Sequence, residues 1–192
     1  PLYMGRQSET TYTPANMELG QKYFWRIDEP NDTPDNTVFK GEVWNFELEP
    51  VSFAIPIGAV TATATSMDGQ QDPDNTVNGS GLNENDEHSV ALEDMWSSTA
   101  DDVTPSIQFE FAQTEKLDKV HVWNHNSQTE SILGFGIKEA LIEYSVDGET
   151  WSELGTVELA QAPGSPTYTG EEIDLEGIIA MVVRITGLSN YS

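Results

Sequence analysis

Histidine, tryptophan and acidic side chains are the residues whose types and spacing could do chemistry in this chain. The histidines are His88, His121 and His125, and the last two flank a tryptophan in the run KVHVWNHN. On a strand, side chains two apart share a face, so His121, Trp123 and His125 project together while Val120 and Val122 take the other side. With the valines turned to a core, the stripe meets solvent. It then offers either two imidazoles as metal ligands or an indole platform for the apolar C–H face of a sugar ring, with amide and imidazole groups for the hydroxyls. A third reading is structural, with Trp123 buried and His121 as its satisfied partner. Two histidines without a third ligand make a poor transition-metal site.

Catalysis has little to stand on. Gly79-Ser80-Gly81 is too short for the Gly-x-Ser-x-Gly elbow of a hydrolase nucleophile. Counting carboxylate pairs at glycosidase spacing is uninformative, because 33 Asp and Glu guarantee accidental pairs. The chain is therefore read as a binding protein and not an enzyme.

The same acid excess, 33 against 8 Lys and Arg for a net charge of -25, argues against nucleic acid and anionic membranes as partners. With no cysteine, disulfides, thiolate metal sites and cysteine catalysis are all excluded. The longest apolar stretches, residues 54–60 and 178–183, fall far short of the roughly 20 residues that a membrane helix needs.

The elements that would position these residues are strands. Alternation at Tyr23, Trp25 and Ile27 marks one strand, and GEVWNFELE, Gly41 to Glu49, marks a second. The Pro-, Asn- and Asp-rich stretch between them predicts a hairpin. A further short strand is expected at Thr10–Thr13. The run TTYTPANMELGQKYFWRIDEPN resembles the last strands of a fibronectin type III domain, with Tyr23 where that family has its tyrosine corner. Residues 1–49 are thus expected to form a partial fibronectin-like segment, followed by a linker at 50–56 around Pro50 and Pro56.

From Ile57 the pattern becomes VTATATS, PSIQFEFA, LDKVHVWNHN, ALIEYSVDG, TWSELGTVEL, EEIDL and AMVVRITGL. Strands separated by turn signals, with no helical period between them, predict an antiparallel sandwich. Asp147-Gly148 predicts a tight hairpin, with Ile142, Tyr144 and Val146 on one face and Trp151 returning to cover it. Arg184 is expected to pair with a carboxylate.

The runs YSVDGETW and VVRITG resemble the F5/8 type C (discoidin) family, which includes the family 32 carbohydrate-binding modules. VTATATS, DNTVNG, Trp96 and SIQFEF agree with it upstream, so the resemblance covers residues 57–192. It implies an all-β, discoidin-like jelly-roll sandwich, of the galactose-binding-domain-like kind, preceded by the short fibronectin-like segment. It also implies a non-catalytic carbohydrate-binding module of a larger extracellular or cell-surface protein, with a glycan as partner and a catalytic domain attached elsewhere. A protein-interaction or adhesion domain of discoidin type is the alternative. The resemblance places ligand-binding residues on the loops at one end of the sandwich, and His88, Trp96, Asn124, His125, Asn126 and Tyr191 are the candidates.

It also implies a structural calcium site, with Asn75, Asn78, Asp86 and Ser89 contributing side-chain or backbone oxygens. Two departures bear on that site. Asn78 stands where the family usually has an aspartate, and the sequence stops at Asn190-Tyr191-Ser192, before the family's final strand would be complete.

Overall fold

A computed structural model describes residues 3–12, 14, 17, 20–31, 34–48 and 53–192. The chain divides into two compact units, Pro1–Ala54 and Ile55–Ser192.

The first unit is built on the expected hairpin. Strand β1 (Lys22–Trp25) pairs antiparallel with β4 (Trp44–Glu47), and β2 (Asp28–Pro30) pairs with β3 (Val38–Lys40). Direct cross-strand partners are aromatic: Tyr23 stacks on Phe46 at 5.7 Å, and Trp25 meets Trp44 edge-to-face at 4.7 Å. Such pairs fix a hairpin's register, because a slip of one residue would send each ring to the opposite face. The strand expected at Thr10–Thr13 is not formed over Thr10–Tyr12, and Thr13 lies outside the described residues, as do Leu19 of the fibronectin-like run and residues 49–52 at the expected linker.

The second unit holds one five-stranded sheet in the order β5-β6-β9-β7-β8, with β5 at Val60–Ala64, β6 at Ser106–Val122, β7 at Ile137–Ser145, β8 at Ser152–Glu158 and β9 at Glu171–Asn190. All its pairings are antiparallel. Four segments that read as separate strands are here two long ones. PSIQFEFA and LDKVHVWNHN merge into β6, and EEIDL and AMVVRITGL merge into β9.

Bulges let these long strands bend. The β6–β9 register jumps between Glu110 and Glu115 and again between Leu117 and Lys119. Opposite the second jump, Glu176 and Gly177 both take positive φ, 56° and 68°, which is where β9 leaves regular pairing. The bent halves close over the rest of the sheet. Leu117, between the two jumps, and Leu175, at the second, share a core with Ile142 of β7 and Val183 of β9, and Val120, Ile173, Tyr144 and Val157 pack around it. A strand that changes layer through a bulge is how one sheet becomes a sandwich. Fully burying a side chain such as Ile142, at 0% exposure, contributes about 1.5–3 kcal/mol.

The Asp147-Gly148 turn differs from a two-residue hairpin. Tyr144 pairs with Ser152 and β7 ends at Ser145, so residues 146–151 form a longer loop, and Val146 is exposed instead of facing the core. Asp147 organises this loop by accepting N–H bonds from Glu149 and Thr150 and the Ser145 hydroxyl. Those donors hold its carboxyl at about 2, well below the usual carboxylate range. Trp151 is half-buried beneath Arg184, whose guanidinium carbon lies 4.0 Å from the indole centroid. Arg184 also bonds Glu143, its cross-strand neighbour, through Nε at 2.9 Å and Nη2 at 2.8 Å.

Candidate functional site

The register brings the end of β5, the start of β6, the start of β7, the end of β8 and the end of β9 to one edge of the sheet. The connections at residues 65–105, 123–136 and 159–170 each have at least one end there. Two buried side chains, Asn124 and Asn126, tie them together, and a third, Glu130, closes the 123–136 connection on itself.

Asn124 donates to the carbonyls of Ile137 (2.7 Å) and Ala160 (2.9 Å), and its Oδ1 accepts from the N–H groups of His125 and Ile137. Asn126, at 0% exposure, donates to His88 O, Ser89 O and Ser165 O and accepts from the N–H groups of Gly164 and Ser165. An asparagine carries two donors and two lone pairs, so both amides are saturated inside the protein. Glu130 is the third. It opens a short helical turn, α1 (Glu130–Leu133), that the sequence pattern did not suggest, and its carboxylate has 0% exposure. It accepts from Phe135 N and Gly136 N and pairs with His125 Nδ1 at 3.0 Å. Those three donors compensate a charge that would otherwise be very costly to bury.

The six ligand-binding candidates are accordingly placed as follows. His88 is buried, bridging toward Leu82 and Tyr168, with Nδ1 2.9 Å from Ser89 O. Asn124 and Asn126 are the linchpins just described, and His125 is held by Glu130 and edge-on to Phe135. Trp96 is half-buried, its indole N–H bonded to Ser66 O at 3.0 Å just past the end of β5. Tyr191 donates its hydroxyl to Leu159 O and its amide to Gly134 O. The structure thus brings the six to one end of the sandwich, where their polar atoms mostly hold loops to one another. Polar side chains on loops mark a functional end in the sequence, but type alone does not distinguish an amide that faces a ligand from one that caps three loops.

What faces outward is the other reading of the histidine–tryptophan stripe. Val120 packs on the core, so His121 and Trp123 turn away from it. Their rings stack with centroids 4.1 Å apart and planes at 25°, His121 exposed and Trp123 half-buried. β6 ends at Val122, so Trp123 directly follows the strand, while His125 turns to Glu130 and leaves the stripe. Two contacts fix the stack. Trp123 Nε1 donates to Asp86 O at 2.9 Å, and His121 Nε2 lies 2.6 Å from Thr169 O. Gly170 leaves the space for it: at φ 68°, a Cβ there would sit 2.5 Å from Val122 O and 2.8 Å from His121 Nε2. Sequence reasoning found both rings by their spacing; it missed Gly170 and Glu130, for which no short-range signal exists.

Three of the four calcium candidates, Asn75, Asn78 and Ser89, have side chains bonded within the protein. Asn75 points its amide N–H groups at Glu93 O and Met95 O, and Asn78 Oδ1 accepts from Ser80 N. The Ser80 and Ser89 hydroxyls both donate to the Asp94 carboxylate, and Asp86 is held at Trp123. Calcium takes 6–8 oxygens free to turn toward it. Here the side chains of Asn75, Asn78 and Ser89 bond to protein groups, Asp86 bonds Trp123 through its backbone carbonyl, and among the described residues no three carboxylate or imidazole groups gather to hold a metal.

Comparison with known proteins agrees with this architecture. The model of the F5/8 type C domain matches residues 61–192. The chain belongs to the F5/8 type C family. Among solved structures, this F5/8 type C chain is similar to CBM32-3 from a family 31 glycoside hydrolase of Clostridium perfringens. The two are 22% identical with a TM-score of 0.53, over 72% of this chain and 86% of that one. It is also similar to the CBM32-1 and CBM32-2 domains of Clostridium perfringens ZmpB, solved in complex with GalNAc, at 15% identity and a TM-score of 0.50, over 71% of this chain and 31% of that one. These likenesses bear out the discoidin-like β-sandwich. No curated protein matches the chain.

Proposed function

We propose that the F5/8 type C unit is a non-catalytic carbohydrate-binding module, acting within a larger extracellular protein that carries its own catalytic domain. The observation that carries this reading is the His121–Trp123 stack, an aromatic pair turned away from the core and braced by the Asp86 carbonyl. Aromatic faces bind the apolar side of a pyranose, and the saturated Asn124, Asn126 and Glu130 network holds the surrounding loops rigid, which lowers the ordering cost of binding. The solved relatives that are carbohydrate-binding modules support the same reading.

A glycan array with the wild-type chain and Trp123→Ala tests it. Wild type binds a defined subset of glycans, and Trp123→Ala loses that binding while keeping the melting temperature of the sandwich within a few degrees. Protein adhesion is the second reading, favoured by Ile132 at 82% and Phe135 at 56% exposure on the α1 loop. An array without any bound glycan would move the function there.

A further inference from the structure

Resting on the carbohydrate reading, we infer that the ligand of the His121–Trp123 face is a glycan bearing free amines, such as a de-N-acetylated hexosamine oligomer. The inference comes from which charges surround the stack. Its bracing turn carries Glu84, Asp86 and Glu87, and the Trp123–Asp86 contact brings that turn to the edge of the indole. On the other side, Glu172 is the direct cross-strand partner of His121 in β9, so both side chains stand on one face. Glu87 accepts an amide bond from Asn83, and Glu84 and Asp86 are in no ion pair among the described residues.

The cations give the complementary result. The sandwich unit contains Lys116, Lys119, Lys138 and Arg184. Lys119 is the one two residues from His121 on the same strand face, and it is bound to Glu172 at 2.8 Å. Arg184 is held between Glu143 and Trp151, and Lys138 lies over the Tyr191 ring at 5.9 Å. Lys116 sits at the β9 bulge, against Gly177. A uronate, sialate or sulfated sugar at the stack would therefore meet the acidic turn at residues 84–87, with Lys119, the cation nearest in the strand, already paired with Glu172. An ammonium group would be attracted to the acidic turn that carries Glu84, Asp86 and Glu87, and its ring C–H face would still cover the indole.

Calorimetric titration of the intact chain with three tetramers tests this: glucosamine, N-acetylglucosamine and galacturonate. The glucosamine tetramer is expected to bind at least about fivefold tighter than the acetylated one, with the preference shrinking toward unity between low and high salt as screening shortens. Galacturonate shows no binding. Glu84→Gln combined with Asp86→Asn reduces the preference, and Trp123→Ala weakens glucosamine binding by about tenfold or more. Equal binding of the two hexosamine tetramers, or tighter binding of galacturonate, overturns the amine assignment and leaves the carbohydrate reading standing. Glucosamine binding that survives Trp123→Ala unchanged overturns the site, since charge alone would then be the cause. Absence of binding to all three tetramers and to every glycan on the array overturns the carbohydrate reading itself.

Discussion

Trp123 donates its indole N–H to the backbone carbonyl of Asp86, 37 residues earlier in the chain, and thereby joins a ring at the end of β6 to the turn at residues 83–86. Asp86 holds positive φ, 58°, to present that carbonyl. The ring and the turn thus form one unit: what moves the loop changes the edge of the platform. Trp123→Phe keeps a ring over His121 and removes the donor. A lost hydrogen bond of this kind costs about 1 kcal/mol, so amide exchange within residues 83–88 is expected to quicken about fivefold. Unchanged exchange would mean that the bond does not hold the loop.

Asn126 is expected to be the most sensitive polar residue of the sandwich. Asn126→Ala strands the carbonyls of His88, Ser89 and Ser165 and the N–H groups of Gly164 and Ser165. Loss of so many buried partners predicts destabilisation by about 3 kcal/mol or more. Urea unfolding measures it, and a change below about 1 kcal/mol would show that the loops find other partners.

Gly170→Ala probes the space beneath the stack. A Cβ at Gly170 would meet Val122 O and His121 Nε2 well inside contact distance, on backbone that already has positive φ. The expected outcome is a lower melting temperature, by an amount equivalent to about 1–3 kcal/mol, together with displaced His121 ring resonances. Retention of both would contradict the close packing.

Two carboxylates predict the acid limb of stability. The hydroxyls of Ser66 and Thr65 lower the pKa of Asp102, and the Thr150 and Glu149 amides with the Ser145 hydroxyl hold Asp147 at about 2. A carboxylate with a lower pKa in the folded state stabilises fully above its unfolded value, near 4, and that stability is lost as pH falls through the folded value. The melting temperature should therefore decline between about pH 4 and pH 2. In Asp102→Asn plus Asp147→Asn that decline becomes shallower, and an equally steep decline would assign the acid limb to other groups.

Calcium should matter little to this sandwich. Because Asp94 is taken by Ser80 and Ser89 and the Asn75 amide faces two carbonyls, chelation with EDTA is expected to leave the melting temperature unchanged. A drop of several degrees that added calcium restores would contradict this.

Much of the fold was legible because strand periodicity is local: β5, β7, β8 and the Tyr23–Trp25 hairpin all stand where alternation and turn residues predict them. The joining of four apparent strands into β6 and β9 was not legible. Polar residues at 113–116 and the Glu176-Gly177 pair read as turns, and only long-range pairing reveals them as bulges inside continuous strands. The site divided along the same line. The outward turn of His121 and Trp123 follows from Val120 facing inward, which is a period-two argument. The burial of Asn124, Asn126 and His88 depends on three loops converging, which no local pattern encodes.

The central claim is that Trp123, alone among the 5 tryptophans, contacts the glycan. Titration of the 15N-labelled chain with a glycan selected on the array, following the indole N–H resonances, tests it most directly. The account predicts a saturable shift of the Trp123 resonance with Trp25, Trp44, Trp96 and Trp151 unmoved. A shift at Trp96 with Trp123 unmoved would contradict it and return the binding site to the loop that Trp96 closes.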